Sequence, residues 1–114
     1  MTNNQIEEKT LFKSEELTQK GIELVEKIYD KVFCIFSHKD FGYDSDEKKI
    51  YEGILISVKF AARKNKLDWV VTVKIGETMC LPVWSEDFFN KVFFDEETAE
   101  KNYKKETLLN EWYL

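Results

Sequence analysis

The chain has 114 residues and a formal net charge of −5, with 43% apolar and 34% charged residues. That apolar content excludes a chain that stays disordered, and the length suits one domain with one hydrophobic core. A net negative charge argues against nucleic acid and anionic membranes as the main partners. We therefore expect residues 1–114 to form a single domain, with residues 1–12 as a flexible segment.

The chain carries no pattern of export or membrane insertion. Its first residues lack the basic start and apolar stretch of a secretory signal, and no apolar run approaches the roughly 18 residues of a spanning helix. We therefore expect a cytoplasmic protein without a membrane partner. In that reducing compartment we expect Cys34 and Cys80 to be free thiols.

The first periodic segment predicts an amphipathic helix over about residues 14–30. Apolar residues recur there every three or four positions, and Ser14 is a suitable N-terminal cap. Gly21 falls inside the apolar stripe, where it lowers helix propensity. We therefore expect another element to pack closely against this glycine.

The next segments predict strands. Residues 32–36 form an apolar run of strand length, and residues 37–49 form a polar loop. Two segments, residues 53–62 and residues 69–75, show the two-residue alternation of a strand. In the first of them the alternation predicts one fully apolar face, formed by Ile54, Ile56, Val58, Phe60 and Ala62.

Turn residues complete the predicted antiparallel meander over residues 50–84. Gly76 and Glu77 are typical of a two-residue hairpin turn, and Pro82 indicates an edge strand because proline has no backbone donor. The sequence from Asp95 predicts a second helix over about 95–105, which residues 108–113 either extend or follow as a separate turn. The predicted class is α+β: an N-terminal helix, an antiparallel meander of four or five strands or a small SH3-like barrel, and a C-terminal helix.

One stretch carries a family resemblance. The strand-turn-strand pattern that closes with Val92-Phe93-Phe94-Asp95-Glu96-Glu97-Thr98-Ala99-Glu100 resembles the ending of short uncharacterised proteins from low-GC Gram-positive bacteria and their mobile elements. The resemblance covers about residues 50–105 and implies an SH3-like β structure followed by a helix with an acidic start. It implies no reaction and no catalytic residues. The long N-terminal helix and the 37–49 loop depart from that pattern.

Reactive side chains are few. Cys34 and the single histidine, His38, are four positions apart, but they fall in a predicted strand and loop, where that spacing does not align them. With Cys80 they make three candidate zinc ligands, one short of a structural site. The acidic loop 40–47 lacks the ligand order of a calcium site, and four glycines cannot build a phosphate-binding loop. We predict a protein that is not an enzyme and needs no metal or cofactor.

The leading hypothesis is therefore a small acidic protein-binding module. Anti-CRISPR and toxin-immunity proteins have this size and charge, so we expect an inhibitor or accessory factor from a mobile element or a toxin-defence locus. Carboxylates on one helix could imitate phosphates in the cationic groove of a nuclease or another nucleic-acid-binding protein, and exposed aromatic residues could anchor the contact. The same residues are also explained as solvated helix faces and core. The candidate partner-binding residues are Glu96, Glu97, Glu100, Phe41, Tyr43, Trp84, Phe88 and Trp112, with Glu15, Glu16, Glu23 and Glu26 as the alternative acidic face.

The alternative hypothesis is a nucleic-acid-binding β module that uses the basic hairpin 59–74. Lysines and an aromatic ring on neighbouring strands can bind single strands by charge and stacking, although a lysine-rich turn is also typical of a solvated hairpin tip. Its candidate residues are Lys59, Arg63, Lys64, Lys66, Trp69 and Lys74. A third possibility is a structural subunit that forms homo-oligomers through the aromatic residues of 84–89 or 112–114.

Overall fold

In the computed structural model of the protein, residues 15–113 are described, with side chains described for residues 15–106. The expected flexible segment 1–12 and the cap Ser14 lie outside this range. The elements in chain order are α1 (15–25), β1 (Lys31–Ser37), a 3-10 helix (His38–Phe41), β2 (Lys48–Arg63), β3 (Lys66–Ile75), β4 (Met79–Trp84), α2 (Ser85–Lys91), β5 (Val92–Phe93) and α3 (Glu96–Tyr113). The predicted α+β class is confirmed.

The five strands form one antiparallel sheet in the order β4-β3-β2-β1-β5. Strands β1 to β4 are a meander in which each strand pairs with the next, and β5 returns to pair with β1. Pro82 lies on β4, an edge strand as predicted, opposite Thr72. Of the two predicted arrangements, the structure has the antiparallel meander, to which β5 adds a fifth strand.

A β-bulge decides which side chains of β2 are buried. It lies between Leu55 and Ser57 and shifts the pairing register there. An extra residue in one strand reverses the alternation of side chains beyond it. Leu55 is therefore fully buried while Ile54 is 43% exposed. The prediction that residues 54–62 present one continuous apolar face was wrong at Ile54, because strict alternation assumes a strand without a bulge.

One face of the sheet, called here the core face, is covered by α1 and α2. Its buried residues form one cluster, which comprises Leu24, Val32, Cys34, Phe36, Leu55, Trp69, Val71, Val73, Val83, Phe88 and Val92. A Cβ on Gly21 would lie 2.8 Å from Cδ1 of Trp69 and 2.9 Å from Cε1 of Phe60. The expectation that Gly21 allows a close approach is therefore confirmed.

Helix α3 packs on the strands β1, β2 and β5. The hydroxyl of Tyr103 donates to the backbone oxygen of Lys48 at 3.0 Å, and the ammonium of Lys48 lies 3.3 Å from the Glu106 carboxylate. The predicted second helix thus runs beyond residue 105, and residues 108–113 extend it. The covered strands lie at the β5 side of the sheet.

The first helix is shorter than predicted. It ends at residue 25 and a turn follows to Tyr29, whose φ of 77° lies in the left-handed region. The N–H of Tyr29 donates to the carbonyl of Leu55 at 2.6 Å, and the N–H of Leu55 donates to the carbonyl of Asp30 at 3.1 Å. These bonds to β2 end the helix before residue 30, because the same backbone groups cannot also bond within a helix.

Two local elements differ from the prediction. Ile75 pairs with Met79, so the β3–β4 connection has three residues, 76–78, instead of two. Helix α2 was not predicted, because seven residues are too few to show a clear helical period. Between the basic strands, Lys64 and Asn65 form a two-residue turn in which both have a positive φ, as a type I′ hairpin requires.

Candidate functional site

An apolar groove lies between α1, α2 and the start of α3. Its volume is about 400 Å³. Three of the residues that line it, Leu24, Phe88 and Val92, are buried, whereas Phe89 is 49% exposed and Phe94 is 38% exposed. Large exposed aromatic side chains beside a concave apolar surface mark binding sites more often than isolated surface residues do.

The local sequence explains why the two neighbouring phenylalanines of α2 differ in exposure. Consecutive helical residues point about 100° apart, so Phe88 faces the core while Phe89 reaches the surface. The ring centroids of Phe88 and Phe89 are 5.2 Å apart in an edge-to-face arrangement, and Phe89 is also edge-to-face with Trp69 at 6.1 Å. The exposed ring is therefore supported by buried ones, which holds it in one orientation.

Two lysines of α1 lie over the exposed rings. The ammonium of Lys20 is 5.1 Å from the ring centroid of Phe89, and that of Lys27 is 5.9 Å from the centroid of Phe94. Both distances fit cation–π attraction, which is worth about 0.5–1 kcal/mol at exposed sites. The α1 side of the groove is thus lined by Lys20 and Lys27, whose ammonium groups lie over the exposed rings.

The other end of the groove leads to an acidic turn, defined here as Asp95, Glu96, Glu97 and Glu100. The carboxylate of Asp95 accepts hydrogen bonds from the backbone N–H of Thr98 at 2.8 Å and from its hydroxyl at 2.6 Å. These bonds hold the pKa of Asp95 below its ordinary value. The predicted cap of α3 is therefore present, and Asp95 is ionised at neutral pH.

The remaining carboxylates of the acidic turn are exposed. Glu97 lies 3.6 Å from the ammonium of Lys101, one turn further along the helix. Among the side chains that the structure describes, neither Glu96 nor Glu100 has an ion-pair partner. Two unpaired carboxylates thus lie on the helix that begins at the apolar groove.

The predicted partner-binding aromatic residues are distributed over several elements. Phe88 is a correction: it is only 2% exposed and belongs to the core, so it cannot anchor a partner directly. Phe41 is half-buried against Phe36 and Tyr51, whereas Tyr43 is 68% exposed. Trp84 is half-buried under the guanidinium of Arg63. The side chain of Trp112 lies outside the described residues.

The sequence prediction named Phe89 among the aromatic residues of 84–89 but did not include it in the final set of partner-binding residues, and it missed Phe94. The available signal was the adjacent pair Phe88 and Phe89. If the segment that contains this pair is a helix, one of the two rings can face the core and the other must lie at the surface. Without the helix α2, the pattern did not distinguish Phe88 from Phe89.

The proposed nucleic-acid residues also divide. Trp69 is a correction, because it is fully buried and its indole N–H donates to the backbone oxygen of Leu17 at 2.7 Å, so a base cannot stack on it. Arg63 lies 3.0 Å from a carboxylate oxygen of Glu86. The four lysines of the proposed nucleic-acid set have no ion-pair partner among the described side chains. They are Lys59, Lys64, Lys66 and Lys74.

A second cleft, of about 430 Å³, lies beside the β2–β3 hairpin. Lys64 and Lys66 line it without an ion-pair partner among the described side chains, whereas its other polar residues bind one another. The hydroxyl of Ser85 donates to Asp68, and Asp68 also accepts the backbone N–H of Trp69 at 2.7 Å. The second oxygen of Asp68 lies 3.9 Å from the guanidinium of Arg63. These bonds fix the start of α2 against β3, which is a structural task.

The cysteines lie in contrasting environments. Cys34 is buried, and burial raises the pKa of its thiol to about 12, so the thiol is protonated at neutral pH and a poor nucleophile. Cys80 is exposed on the edge strand β4. Among the described side chains, no group of three or more histidine, cysteine, aspartate or glutamate residues is arranged to hold a metal ion. No helix within residues 15–113 combines the length and the apolar character that crossing a membrane requires.

Comparison with known proteins adds no relative. No protein-family model matches this chain, and searches of the curated proteins and of the solved structures found no match. The resemblance of residues 50–105 to short proteins of mobile elements therefore stays a prediction.

Proposed function

We propose that this protein is a protein-binding module whose apolar groove receives an apolar side chain of a partner protein. The observation that carries the proposal is the pair Phe89 and Phe94, two rings that are 49% and 38% exposed at a groove of about 400 Å³. Binding hot spots are enriched in aromatic residues and lie in pockets that become desolvated on binding. Because buried rings already hold Phe89 in place, little side-chain entropy is lost on binding.

The acidic turn supports a partner whose surface is basic beside its apolar anchor. Glu96 and Glu100 have no ion-pair partner among the described side chains, and Asp95 is ionised at the end of the groove. Complementary charge at the rim of an interface accelerates association and selects the partner. A basic surface of this kind occurs on nucleases and other nucleic-acid-binding proteins, so we propose a cytoplasmic inhibitor or accessory factor of such a protein, acting by steric blockade and not as an enzyme.

Selection from a displayed library of random peptides tests this proposal while the partner is unidentified. Peptides are selected on the wild-type protein and depleted on the double variant Phe89→Ser/Phe94→Ser. We expect the enriched peptides to share one large apolar residue next to lysine or arginine. Their affinity should fall at least tenfold in Phe89→Ala, and in Glu96→Lys/Glu100→Lys they should associate more slowly with a weaker dependence on salt.

Met79→Ser is the matched control, since Met79 is 40% exposed on β4 but does not line the groove. Its peptide affinity should equal that of the wild type. Enriched peptides without an apolar anchor, or equal binding to the wild type and to Phe89→Ala, would contradict the proposal. Concentration-dependent dimerisation that the groove variant abolishes would instead identify a second copy of this chain as the occupant.

A further inference from the structure

The sheet has a second, largely uncovered surface over β2, β3 and β4. Residues that pair across neighbouring strands share a face, which places Lys59, Val70 and Trp84 in one row on the side opposite the core. Every second residue of β3, counted from Val70 in either direction, lies on this same face. Helix α3 packs over β1, β2 and β5 and leaves this part of the sheet open within the described residues. By this rule the open face includes Lys59, Arg63, Lys66, Asp68, Val70, Thr72, Lys74 and Trp84.

The open face concentrates the positive charge of an acidic protein. Residues 53–84 hold five basic and two acidic residues, although the whole chain has a net charge of −5. Of the acids near this face, Asp68 accepts hydrogen bonds from Ser85 and from the backbone of Trp69, and Glu86 is paired with Arg63. No described carboxylate pairs with Lys59, Lys66 or Lys74. Their charge is therefore available to an anionic ligand.

A stacked cation and aromatic ring lie at the edge of this face. The guanidinium carbon of Arg63 is 4.5 Å from the ring centroid of Trp84, and both side chains are partly exposed. An ion pair with Glu86, at 3.0 Å, holds Arg63 in that position. Unpaired bases stack on arginine planes and on aromatic rings, whereas bases inside a duplex are already stacked.

We propose that the open face binds single-stranded nucleic acid, with Lys59, Lys66 and Lys74 on the phosphates and the Arg63–Trp84 stack under a base. Trp84 takes the role for which Trp69 is unsuited by its burial. The chain has one arginine, and it is held by Trp84 and Glu86. Bidentate readout of duplex base edges depends mainly on arginine, so the ligand is a single strand bound without strong sequence preference. This inference does not rest on the groove, although Phe89 lines both the groove and the cleft that contains Arg63 and Lys66.

Fluorescence anisotropy with a labelled oligothymidine of about 16 nucleotides, long enough for one small β module, tests the inference. We expect binding at about 50 mM salt and a steep loss of affinity toward 200 mM. In Lys59→Gln/Lys74→Gln, the slope of log affinity against log salt should fall by about 1.4, since each contact to a single strand contributes about 0.7. Trp84→Leu should lower the affinity roughly tenfold by removing one stacking contact.

Lys104→Gln/Lys105→Gln is the matched control, because it removes the same charge from exposed positions of α3. The inference requires that this control and the groove variant Phe94→Ser, whose side chain does not line the cleft of Arg63 and Lys66, both bind the oligonucleotide like the wild type. It is overturned by absence of binding at about 50 mM salt, the lower end of the range in which phosphate contacts lose strength. An equal loss in the control, tighter binding of a duplex of the same length, or binding to phosphatidylserine vesicles in place of the oligonucleotide would overturn it as well.

Discussion

The indole N–H of Trp69 donates a 2.7 Å hydrogen bond to the backbone carbonyl of Leu17, 52 positions earlier in the chain. This bond joins the middle of the sheet to helix α1. The same ring packs against Gly21, and a larger residue at position 21 would displace the ring. The ring is also edge-to-face with Phe89 at the groove. The position of α1, and with it one side of the groove, therefore depends on how Trp69 is held.

Replacing Trp69 by phenylalanine keeps an aromatic ring but removes the donor. The carbonyl of Leu17 loses its partner and the core loses volume, so we expect the free energy of unfolding to fall by roughly 2–4 kcal/mol. Urea denaturation followed by circular dichroism measures it. Trp84→Phe is the control, since Trp84 is half-buried on the other face, and it should cost about 1 kcal/mol or less. Equal losses in the two variants would contradict the role given to the hydrogen bond.

Gly21→Ala tests the close contact between α1 and the sheet. Alanine favours a helix by about 1 kcal/mol, yet its Cβ would lie 2.8 Å from a carbon of the hydrogen-bonded Trp69. Overpacking costs about 1–3 kcal/mol, so we expect a net loss of up to about 2 kcal/mol in urea denaturation. Adding Phe60→Val should recover part of it, because the other crowded atom belongs to Phe60. Gln19→Ala, at an exposed position of the same helix, is the control and should not lower the free energy of unfolding. A higher free energy of unfolding in Gly21→Ala would contradict the close contact.

The two thiols should differ in reactivity. Cys80 is exposed, whereas the buried Cys34 has a pKa raised to about 12. At about pH 8, a disulfide reagent such as DTNB should modify the exposed Cys80 within seconds to minutes. Cys34 should react only in denaturant. The variant Cys80→Ser should show no fast phase, and rapid modification of both thiols in the native protein would show that Cys34 is accessible.

Asp95 should give the stability a measurable pH dependence. Hydrogen bonds from Thr98 lower the pKa of Asp95 in the folded protein below its ordinary value of 3.8. The ionised carboxylate therefore stabilises the fold at every pH above that ordinary pKa. That contribution is lost as pH falls below this value and through the lower pKa of the folded state. Asp95→Asn can cap the helix but does not titrate. The difference in free energy of unfolding between the wild type and Asp95→Asn should therefore shrink below about pH 4.

An independent measurement isolates the hydroxyl of Thr98. Thr98→Val keeps the backbone donor and loses the side-chain donor, which is the larger cause of the lowered pKa. The NMR-measured pKa of Asp95 should rise toward its ordinary value in this variant. A difference in stability that does not change with pH, or an unchanged pKa in Thr98→Val, would show that the cap does not depend on the charge of Asp95.

Local patterns predicted much of this fold, and their failures have identifiable causes. The period of α1, the alternation of β3 and the cap at Asp95 depend on neighbouring residues in the chain, and each was predicted correctly. The close approach at Gly21 was also predicted, although its partners, Trp69 and Phe60, lie far away in the chain. The side of the sheet on which Ile54 lies was predicted wrongly, because the bulge in β2 arises from the pairing of β2 with β3. Pairing partners lie far apart in the chain, so alternation within one strand does not reveal them.

The candidate site divides in the same way. The acidic start of α3 was predicted, since carboxylates at a helix start favour the N-terminal cap and dipole wherever the helix lies. The choice among aromatic residues failed at Phe88 and Trp69, which are core, and at Phe89, which is exposed. An aromatic side chain gains free energy from burial anywhere, so only the neighbours that cover it decide whether it is core or interface.

By itself, the sequence determined the α+β class, the helical and extended segments other than α2, the edge position of Pro82 and the distribution of charge along the chain. These follow from backbone preferences and side-chain periods, which act between residues a few positions apart. Only the tertiary structure decided the phase of β2, the existence of α2, the exposed rings at the groove and the gathering of lysines on the open face. Each depends on contacts between distant segments, which exist only once the sheet is assembled.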